Sequence, residues 1–430
     1  MRLELHNTHT YGRNKYRRFN HENIQIFLNY MNYLPHHYQK MDFTRSLWLQ
    51  NCRSGRRGMC CAVVLLGIIV GSALLVYSVS APKKDHRSIK QIAIIFRHGA
   101  RNPTETYPKD PYANHQWEDG WGALTKEGMR QLYQLGQWLR GQYDLVIGKK
   151  YYTKTTLVRS SYAERCIMSA QALLAALFRP EPQDYFVPDL PWIPVPVASI
   201  PRDQDKLITV KYLCPKLDEA LKEAYVNESR KSGKEMAPYY SELSYHTGRK
   251  METITDVEFL YNTLEIEDQH GLTLPNWTKK IYNDKMREIA ARSLAIFTSN
   301  TLQRRLRGGP LLKEVLDNMM RARYDQHERK LYLYSAHDIT LVNVMRAMGF
   351  TEELLKPDYG AALIFELVLS EDMEEGEHAL EVKAKYLNNT VTYEATPLKI
   401  PRCSDPCKLL NLSHVWQDVL PTNWDSECKV

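Results

Sequence analysis

Residues 92–103 read Ile-Ala-Ile-Ile-Phe-Arg-His-Gly-Ala-Arg-Asn-Pro and decide the fold class of this 430-residue chain. The apolar, mostly β-branched start of the stretch predicts a strand that is buried on both faces. A glycine then allows a tight turn, and a proline prevents the strand from continuing. In open α/β sheets ligands bind at the carboxyl ends of the strands, so Arg97, His98 and Arg101 form a candidate binding site.

Two guanidinium groups and an imidazole within five positions suit a phosphate group. Arg97 and Arg101 can bind phosphate oxygens bidentately, while a ring nitrogen of His98 attacks phosphorus. The alternative interpretation is a basic turn that only ends a strand. The phosphate-site interpretation requires further site residues elsewhere in the chain.

A second strand ends in ionisable residues in the same way. Residues 331–336 read Leu-Tyr-Leu-Tyr-Ser-Ala, and His337 and Asp338 follow them. The pattern then predicts a helix that continues to Met348, and the N-terminus of a helix favours a bound anion. Asp338 could instead serve only as a helix cap, a role that aspartate often has.

These two motifs resemble those of the histidine acid phosphatases, particularly the prostatic, lysosomal and insect-venom type. The resemblance covers about residues 90–428 and implies an α/β fold with a mixed central sheet flanked by helices, the phosphoglycerate-mutase-like or histidine phosphatase fold. Residues 202–283 are more helical and polar, and they predict a smaller inserted α-helical subdomain. The implied activity is hydrolysis of phosphate monoesters, with no metal or other cofactor.

The resemblance gives each site residue a role. His98 is the nucleophile that forms a phosphohistidine, and Asp338 donates a proton to the leaving alcohol. The expected phosphate-binding residues are Arg97, Arg101, Arg159 and His337. Arg159 is matched to the third arginine of the family because it ends a short strand near residues 155–158, whereas Arg165 is expected to be structural.

Two other functions stay open. Position 100 is alanine where many close relatives have aspartate, and inositol-phosphate phosphatases of this superfamily often have alanine there. An inositol-phosphate or sugar-phosphate phosphatase is therefore one alternative. The other is a membrane-tethered, non-catalytic binding protein on the same fold, against which the intact set of motif residues argues.

The N-terminal part of the chain predicts delivery to the secretory pathway. Residues 1–58 form a polar basic tail, and no charge falls between Arg57 and Lys83, so residues 59–81 are apolar over about the ~20 residues that span a bilayer. A signal anchor would cross the membrane through residues 59–77 and leave a lumenal or extracellular catalytic domain. A signal peptide cleaved near Ala81 would give a lysosomal or secreted protein.

The net charge and the cysteine and histidine spacings argue against a nucleic-acid partner and a zinc site. The formal charge of +7 is mild and its basic clusters lie in the N-terminal tail, so we expect no nucleic-acid partner. We expect no zinc site, since the lumenal part has no Cys-x-x-Cys or His-x-x-x-His pair.

The resemblance implies disulfides Cys214–Cys428 and Cys403–Cys407, a buried free Cys166, and a homodimer. Four Asn-x-Ser/Thr triplets are candidate glycosylation acceptors: Asn227, Asn276, Asn388 and Asn411.

Overall fold

The computed structural model describes residues 89–324, 328–370 and 380–429. The basic tail at residues 1–58 and the apolar segment at 59–81 lie outside the described residues, so the expectations for them stay predictions. Within the described ranges, no helix is both long and apolar enough to cross a bilayer.

The elements alternate along the chain as an α/β fold requires. The strands are β1 (Ile89–Arg97), β2 (Thr156–Ser160), β3 (Ala198–Ser199), β4 (Leu331–Ala336), β5 (Ala362–Leu369), β6 (Leu380–Leu387) and β7 (Ala395–Leu398). The helices are α1 (Lys126–Ile147), α2 (Glu164–Leu177), α3 (Pro215–Thr247), α4 (Ile254–Gln269), α5 (Thr278–Ile281), α6 (Asp284–Ile296), α7 (Thr301–Gln303), α8 (Gly309–Arg321), α9 (Asp338–Met348), α10 (Leu409–Val415) and α11 (Trp424–Glu427). Two 3₁₀ turns, Pro182–Asp184 and Arg202–Gln204, and a π-helical turn, Arg304–Gly308, complete the list.

The strands form one mixed sheet in the order β3-β2-β4-β1-β5-β6-β7. The β1–β4, β2–β4 and β2–β3 pairs are parallel, and the β1–β5, β5–β6 and β6–β7 pairs are antiparallel. This confirms the predicted fold class, a mixed sheet flanked by helices.

Strand β1 is central because its side chains are apolar on both faces. Ile92, Ile94 and Phe96 belong to the hydrophobic cluster that includes the inner faces of α1 and α2. Ala93 and Ile95 point to the opposite side and belong to the cluster that includes α8 and α9. The uninterrupted apolar run therefore reflects helices on both faces of the sheet.

The parallel pairing of β1 and β4 brings the two sequence motifs together. In the register of this pair Arg97 lies opposite Ala336, and the backbone amide of His98 donates to the carbonyl oxygen of Ala336 at 3.0 Å. His98 and His337 therefore leave neighbouring strands at the same edge of the sheet.

The turn after β1 packs directly against the first turn of α1. A Cβ atom at Gly99 would lie 2.2 Å from the carbonyl oxygen of Gly128, and one at Gly128 would lie 2.2 Å from the carbonyl oxygen of Ala100. Thr125 caps α1 by accepting a hydrogen bond from the Gly128 amide at 3.0 Å. Glycine is thus needed at position 99 for this close approach of two backbones.

Helices α3, α4 and α6 pack around a hydrophobic cluster separate from the two clusters on the sheet. Its members run from Ala224 to Ile296, with Tyr107 added from the loop after β1, so it extends past the predicted boundary at residue 283. The disulfide Cys214–Cys428 ties the start of α3 to the C-terminal segment, and Cys403–Cys407 closes a short loop. Cys166, in α2, is a buried free cysteine.

Candidate active site

His98 is held in one tautomer. Its Nδ1 atom lies 2.8 Å from the carbonyl oxygen of Gly99, which can only accept, so Nδ1 carries the hydrogen. The Nε2 atom is therefore unprotonated, and its lone pair accepts a hydrogen bond from Nε of Arg165 at 3.2 Å. Burial, followed by the charges of Arg165 and Arg97, lowers the pKa of His98 well below its ordinary value. The imidazole is therefore neutral, as a nucleophile must be.

Arg97 is fixed beside His98 by three contacts. Its Nη2 atom pairs with Oδ2 of Asp338 at 3.1 Å, and its Nη1 atom donates to the carbonyl oxygen of Pro357 at 2.5 Å. The guanidinium also stacks over the ring of Tyr359, 4.0 Å from the centroid. These contacts hold the Arg97 side chain at the carboxyl edge of the sheet, next to the nucleophile.

Asp338 is the first residue of α9, and His337 occupies the N-cap position. The Oδ1 atom of Asp338 accepts from the amide of Ile339 at 2.8 Å, while its Oδ2 atom faces Arg97. Burial alone would raise the pKa of Asp338, but Arg97 and Lys356 outweigh burial and hold the pKa well below its ordinary value. His337 rather than Asp338 therefore occupies the N-cap position, and Asp338 is an ionised carboxylate that faces the site.

His337 lies across the site from His98, with their ring centroids 5.5 Å apart. Its Nε2 atom is 2.8 Å from Oγ of Ser161, and the Cys166 sulfur lies 3.7 Å from the same nitrogen. Burial and then Arg165 lower the pKa of His337 to about 3, so the ring is neutral. A neutral imidazole can contribute a hydrogen bond to phosphate without adding a charge.

The structure corrects the prediction for Arg159. Both Oε atoms of Glu314 accept from its Nη1 atom, at 2.9 and 2.7 Å, on the α8 side of the sheet. Arg159 alternates along β2 with Val158, which packs with α1 and α2, so its side chain leaves the opposite face.

Arg165 occupies the place expected for Arg159. It lies in the first turn of α2, one helical turn beyond the end of β2, and from there it reaches Nε2 of His98. The sequence pattern could have indicated Arg165. Strand alternation places the Arg159 side chain on the opposite face of the sheet, whereas side chains in the first turn of the next helix point back toward the strand ends. The charges of Arg165, Arg97 and Arg101 all act on His98, so these three side chains form the positive group around the nucleophile. Arg101 is only 8% exposed.

A cavity of about 410 Å³ reaches this group at Arg97. Its lining includes Arg97, Ala100, Lys356 and Tyr359, together with the acidic side chains Glu127, Glu265 and Asp358. A larger cleft of about 1190 Å³ lies near the C-terminal ends of α1 and α2 and is lined by none of the site residues. Over the described ranges, no three His, Cys, Asp or Glu side chains are grouped as metal ligands.

The chain is similar to known proteins over most of its length. The family model of the histidine phosphatase superfamily (branch 2) matches residues 88–384. The prostatic acid phosphatase of Bos taurus is 33% identical over 352 residues, which cover 80% of this chain and 88% of that protein. The lysosomal acid phosphatase of Homo sapiens is 32% identical over 386 residues, which cover 88% of each chain.

Solved structures with the same fold include bacterial phytases. The phytase of Citrobacter braakii superposes with a TM-score of 0.58 at 16% identity, covering 80% of this chain and 100% of that one. At this level of identity the likeness shows the shared fold alone.

Proposed function

The chain belongs to the histidine phosphatase superfamily (branch 2) and is an acid phosphatase, and we propose that it hydrolyses phosphate monoesters through a phosphohistidine at His98. The observation that carries the proposal is the unprotonated Nε2 atom of His98, whose lone pair accepts from Arg165 and is buried among cations. A buried, neutral imidazole surrounded by guanidinium groups is suited to attack phosphorus in a bound phosphate.

In the first step the substrate phosphate binds between Arg97, Arg101 and Arg165. The Nε2 lone pair of His98 forms a bond to phosphorus as the bond from phosphorus to the ester oxygen breaks. The departing oxygen keeps the electron pair of that bond and takes a proton from the carboxyl group of Asp338. The three arginines stabilise the charge that spreads over the phosphoryl oxygens in the transition state.

Asp338 has to gain a proton before it can give one. In the free enzyme the charges of Arg97 and Lys356 outweigh burial and lower the pKa of Asp338, so the carboxylate is ionised. A bound phosphate dianion would neutralise Arg97 and repel the carboxylate, and both effects raise the pKa of Asp338. Protonation of Asp338 on substrate binding is favoured at low pH, which supports activity at acidic pH.

The second step reverses these roles. Water attacks the phosphorus of the phosphohistidine, and the carboxylate of Asp338 takes a proton from that water. The bond from nitrogen to phosphorus breaks, its electron pair returns to Nε2, and inorganic phosphate leaves. The low pKa of His98 favours this step because the departing imidazole is stable in its neutral form.

The charge around the cavity favours simple monoesters over highly phosphorylated substrates. Glu127, Glu265 and Asp358 line the cavity beside the cations Arg97 and Lys356, so an inositol polyphosphate would meet a mixed rather than a uniformly positive lining. We therefore place the inositol-phosphate alternative second, although alanine at position 100 lines the cavity. The ordered array of charged groups around His98 counts against a non-catalytic binding protein.

Location and modification follow from the sequence and are proposed with the activity. Residues 59–81 would deliver the catalytic domain to the secretory pathway, as an anchor through residues 59–77 or as a cleaved signal. All four glycosylation acceptors have exposed side chains: Asn227, Asn276, Asn388 and Asn411. A homodimer is proposed from the resemblance alone.

The test is to trap the covalent intermediate. Wild-type protein quenched in base during turnover of a radiolabelled aryl phosphate should carry acid-labile label, and folded His98→Ala should carry none. His115→Ala, which changes an exposed histidine, is the matched control and should label like the wild type. Turnover without an acid-labile phosphoenzyme would contradict the phosphohistidine route, and absence of any turnover would favour the binding protein.

A further inference from the structure

Lys356 is a buried cation beside the active site and belongs to neither sequence motif. It lies in the loop before β5, directly before Pro357, whose carbonyl oxygen accepts from Arg97 at 2.5 Å. Its side chain is only 2% exposed. A buried ammonium group is costly unless it interacts with an opposite charge.

The Nζ atom of Lys356 is directed at the proposed proton donor. It lies 3.7 Å from Oδ2 of Asp338 and 5.7 Å from the ring centroid of Tyr261. Among the described residues, no atom forms a hydrogen bond with Nζ. The ammonium therefore acts on its surroundings mainly through its charge, and Asp338 is its nearest anion.

We propose that Lys356 is a positioning residue for the reaction: it holds Oδ2 of Asp338 in place and restricts protonation of this carboxyl group to acidic pH. This inference rests on the proposed role of Asp338 as proton donor. Lys356, which lies outside the two sequence motifs, would then set the pH below which the enzyme is active.

Two cations share Oδ2 of Asp338, and both belong to residues that line the cavity. Arg97 also lies beside the nucleophile, where its charge acts on His98, and it would bind the phosphate group, which neutralises its charge. The Nζ atom of Lys356 is buried, so it would remain next to Asp338 when phosphate is bound. Lys356 is then the main positive charge that opposes protonation of the carboxylate in the substrate complex.

The other charged or titratable groups near Asp338 come from four elements. They are Arg97 and His98 at the end of β1, Arg165 and Cys166 on α2, Glu258 on α4 and Tyr386 on β6, and His337 directly precedes Asp338 in the chain. Burial, followed by the charge of Asp338, raises the pKa of Glu258 to about 7. Glu258 is thus neutral at acidic pH, where it does not compete with Asp338 for the charge of Lys356.

The test compares kcat as a function of pH for wild type, Lys356→Met, Lys356→Gln and Lys356→Arg, with an alkyl phosphate as substrate. Loss of the charge should move the alkaline limb of kcat upward by about one pH unit or more. Lys356→Arg should keep the limb near its wild-type position. A nitrophenyl phosphate, which needs less protonation, should show a smaller shift.

Two controls allow the pH profiles to be interpreted: a second charge-removing variant and an Asp338→Asn background. Lys356→Gln replaces Lys356→Met if the methionine variant does not fold. In an Asp338→Asn background, removal of the lysine should not move the limb. An unchanged limb in an active, folded Lys356→Met or Lys356→Gln protein would overturn this inference while leaving the phosphatase assignment intact. An inactive wild type would instead remove the proposed function.

Discussion

The Nε atom of Arg165 lies 3.2 Å from the Nε2 atom of His98. This contact orients the nucleophile in the absence of substrate and places a guanidinium where phosphoryl oxygens would bind. The arginine singled out by the sequence motif, Arg159, instead pairs with Glu314 at 2.7 Å. The two arginines therefore offer a matched comparison between a residue of the site and a residue on the far face of the sheet.

We expect Arg165→Ala to lower kcat/KM for a simple phosphate monoester by at least about 100-fold, since one charged donor to the transition state is lost. Arg159→Ala should keep activity within about threefold, and its exposed ion pair should contribute under about 1 kcal/mol to stability. Steady-state kinetics on the two purified variants make the comparison. Equal losses would show that Arg165 has no special part in phosphate binding.

The sequence allowed the central features of the fold and site to be predicted because they are local. An apolar run buried on both faces identified β1 and β4, and their parallel pairing placed His98 near Asp338. The choice between Arg159 and Arg165 depended on the face of β2 from which the Arg159 side chain leaves. The family match was preferred to the strand alternation, so Arg159 was assigned to the site.

Other contacts of the site depend on tertiary structure that no local pattern records. Lys356 reaches Asp338 from a loop with no distinctive motif, so only the folded chain reveals it. Glycine at position 99 was expected to permit a tight turn. The structure shows that it instead allows close approach to Gly128, which is 29 positions later in the sequence.

We expect Gly128→Ala to disturb the His98 loop, since its Cβ would lie 2.2 Å from the carbonyl oxygen of Ala100. The steric conflict should cost about 1–3 kcal/mol in the free energy of unfolding and should reduce kcat as the loop shifts. The control is Gly141→Ala on the same helix, where a Cβ meets nothing within 4 Å. It should stabilise the helix by about 0.5–1 kcal/mol and leave kcat unchanged. Denaturant unfolding and kinetics distinguish these results from a general intolerance of α1 to alanine.

Glu267 should make the protein less stable as the pH rises. Its side chain is fully buried on α4, and burial, followed by Asp110, raises its pKa from 4.5 to about 8. Between these values the unfolded chain has lost a proton that the folded protein still holds. The free energy of unfolding therefore falls as pH rises through this interval.

Glu267→Gln removes this contribution because glutamine does not titrate. Relative to wild type, the variant should gain stability on going from pH 5 to pH 8, by on the order of a few kcal/mol. The exposed Glu288→Gln on α6 is the control and should follow the wild type. Melting temperatures at the two pH values measure the difference, and parallel pH profiles for wild type and Glu267→Gln would contradict the prediction.

Asp338→Asn separates a structural role of this side chain from a catalytic one. The Oδ1 contact to the Ile339 amide can survive in asparagine, but Arg97 and Lys356 lose the carboxylate that they share. We therefore expect a stability cost of about 3 kcal/mol, as for other broken buried ion pairs. This cost applies to the folded protein whichever substrate is used, so a comparison of two substrates isolates proton donation.

Phosphoenzyme formation should respond to the leaving group in the Asp338→Asn variant. An alkyl phosphate, whose alkoxide leaves poorly without a proton, should lose about 100-fold or more in this step. A nitrophenyl phosphate, whose phenolate leaves readily, should lose less than about tenfold. The first step has to be measured directly by rapid quench, because slow water attack on the phosphohistidine would otherwise limit both substrates equally. If both substrates lose the same factor in phosphoenzyme formation, Asp338 only orients Arg97 and the proton comes from another group or from water.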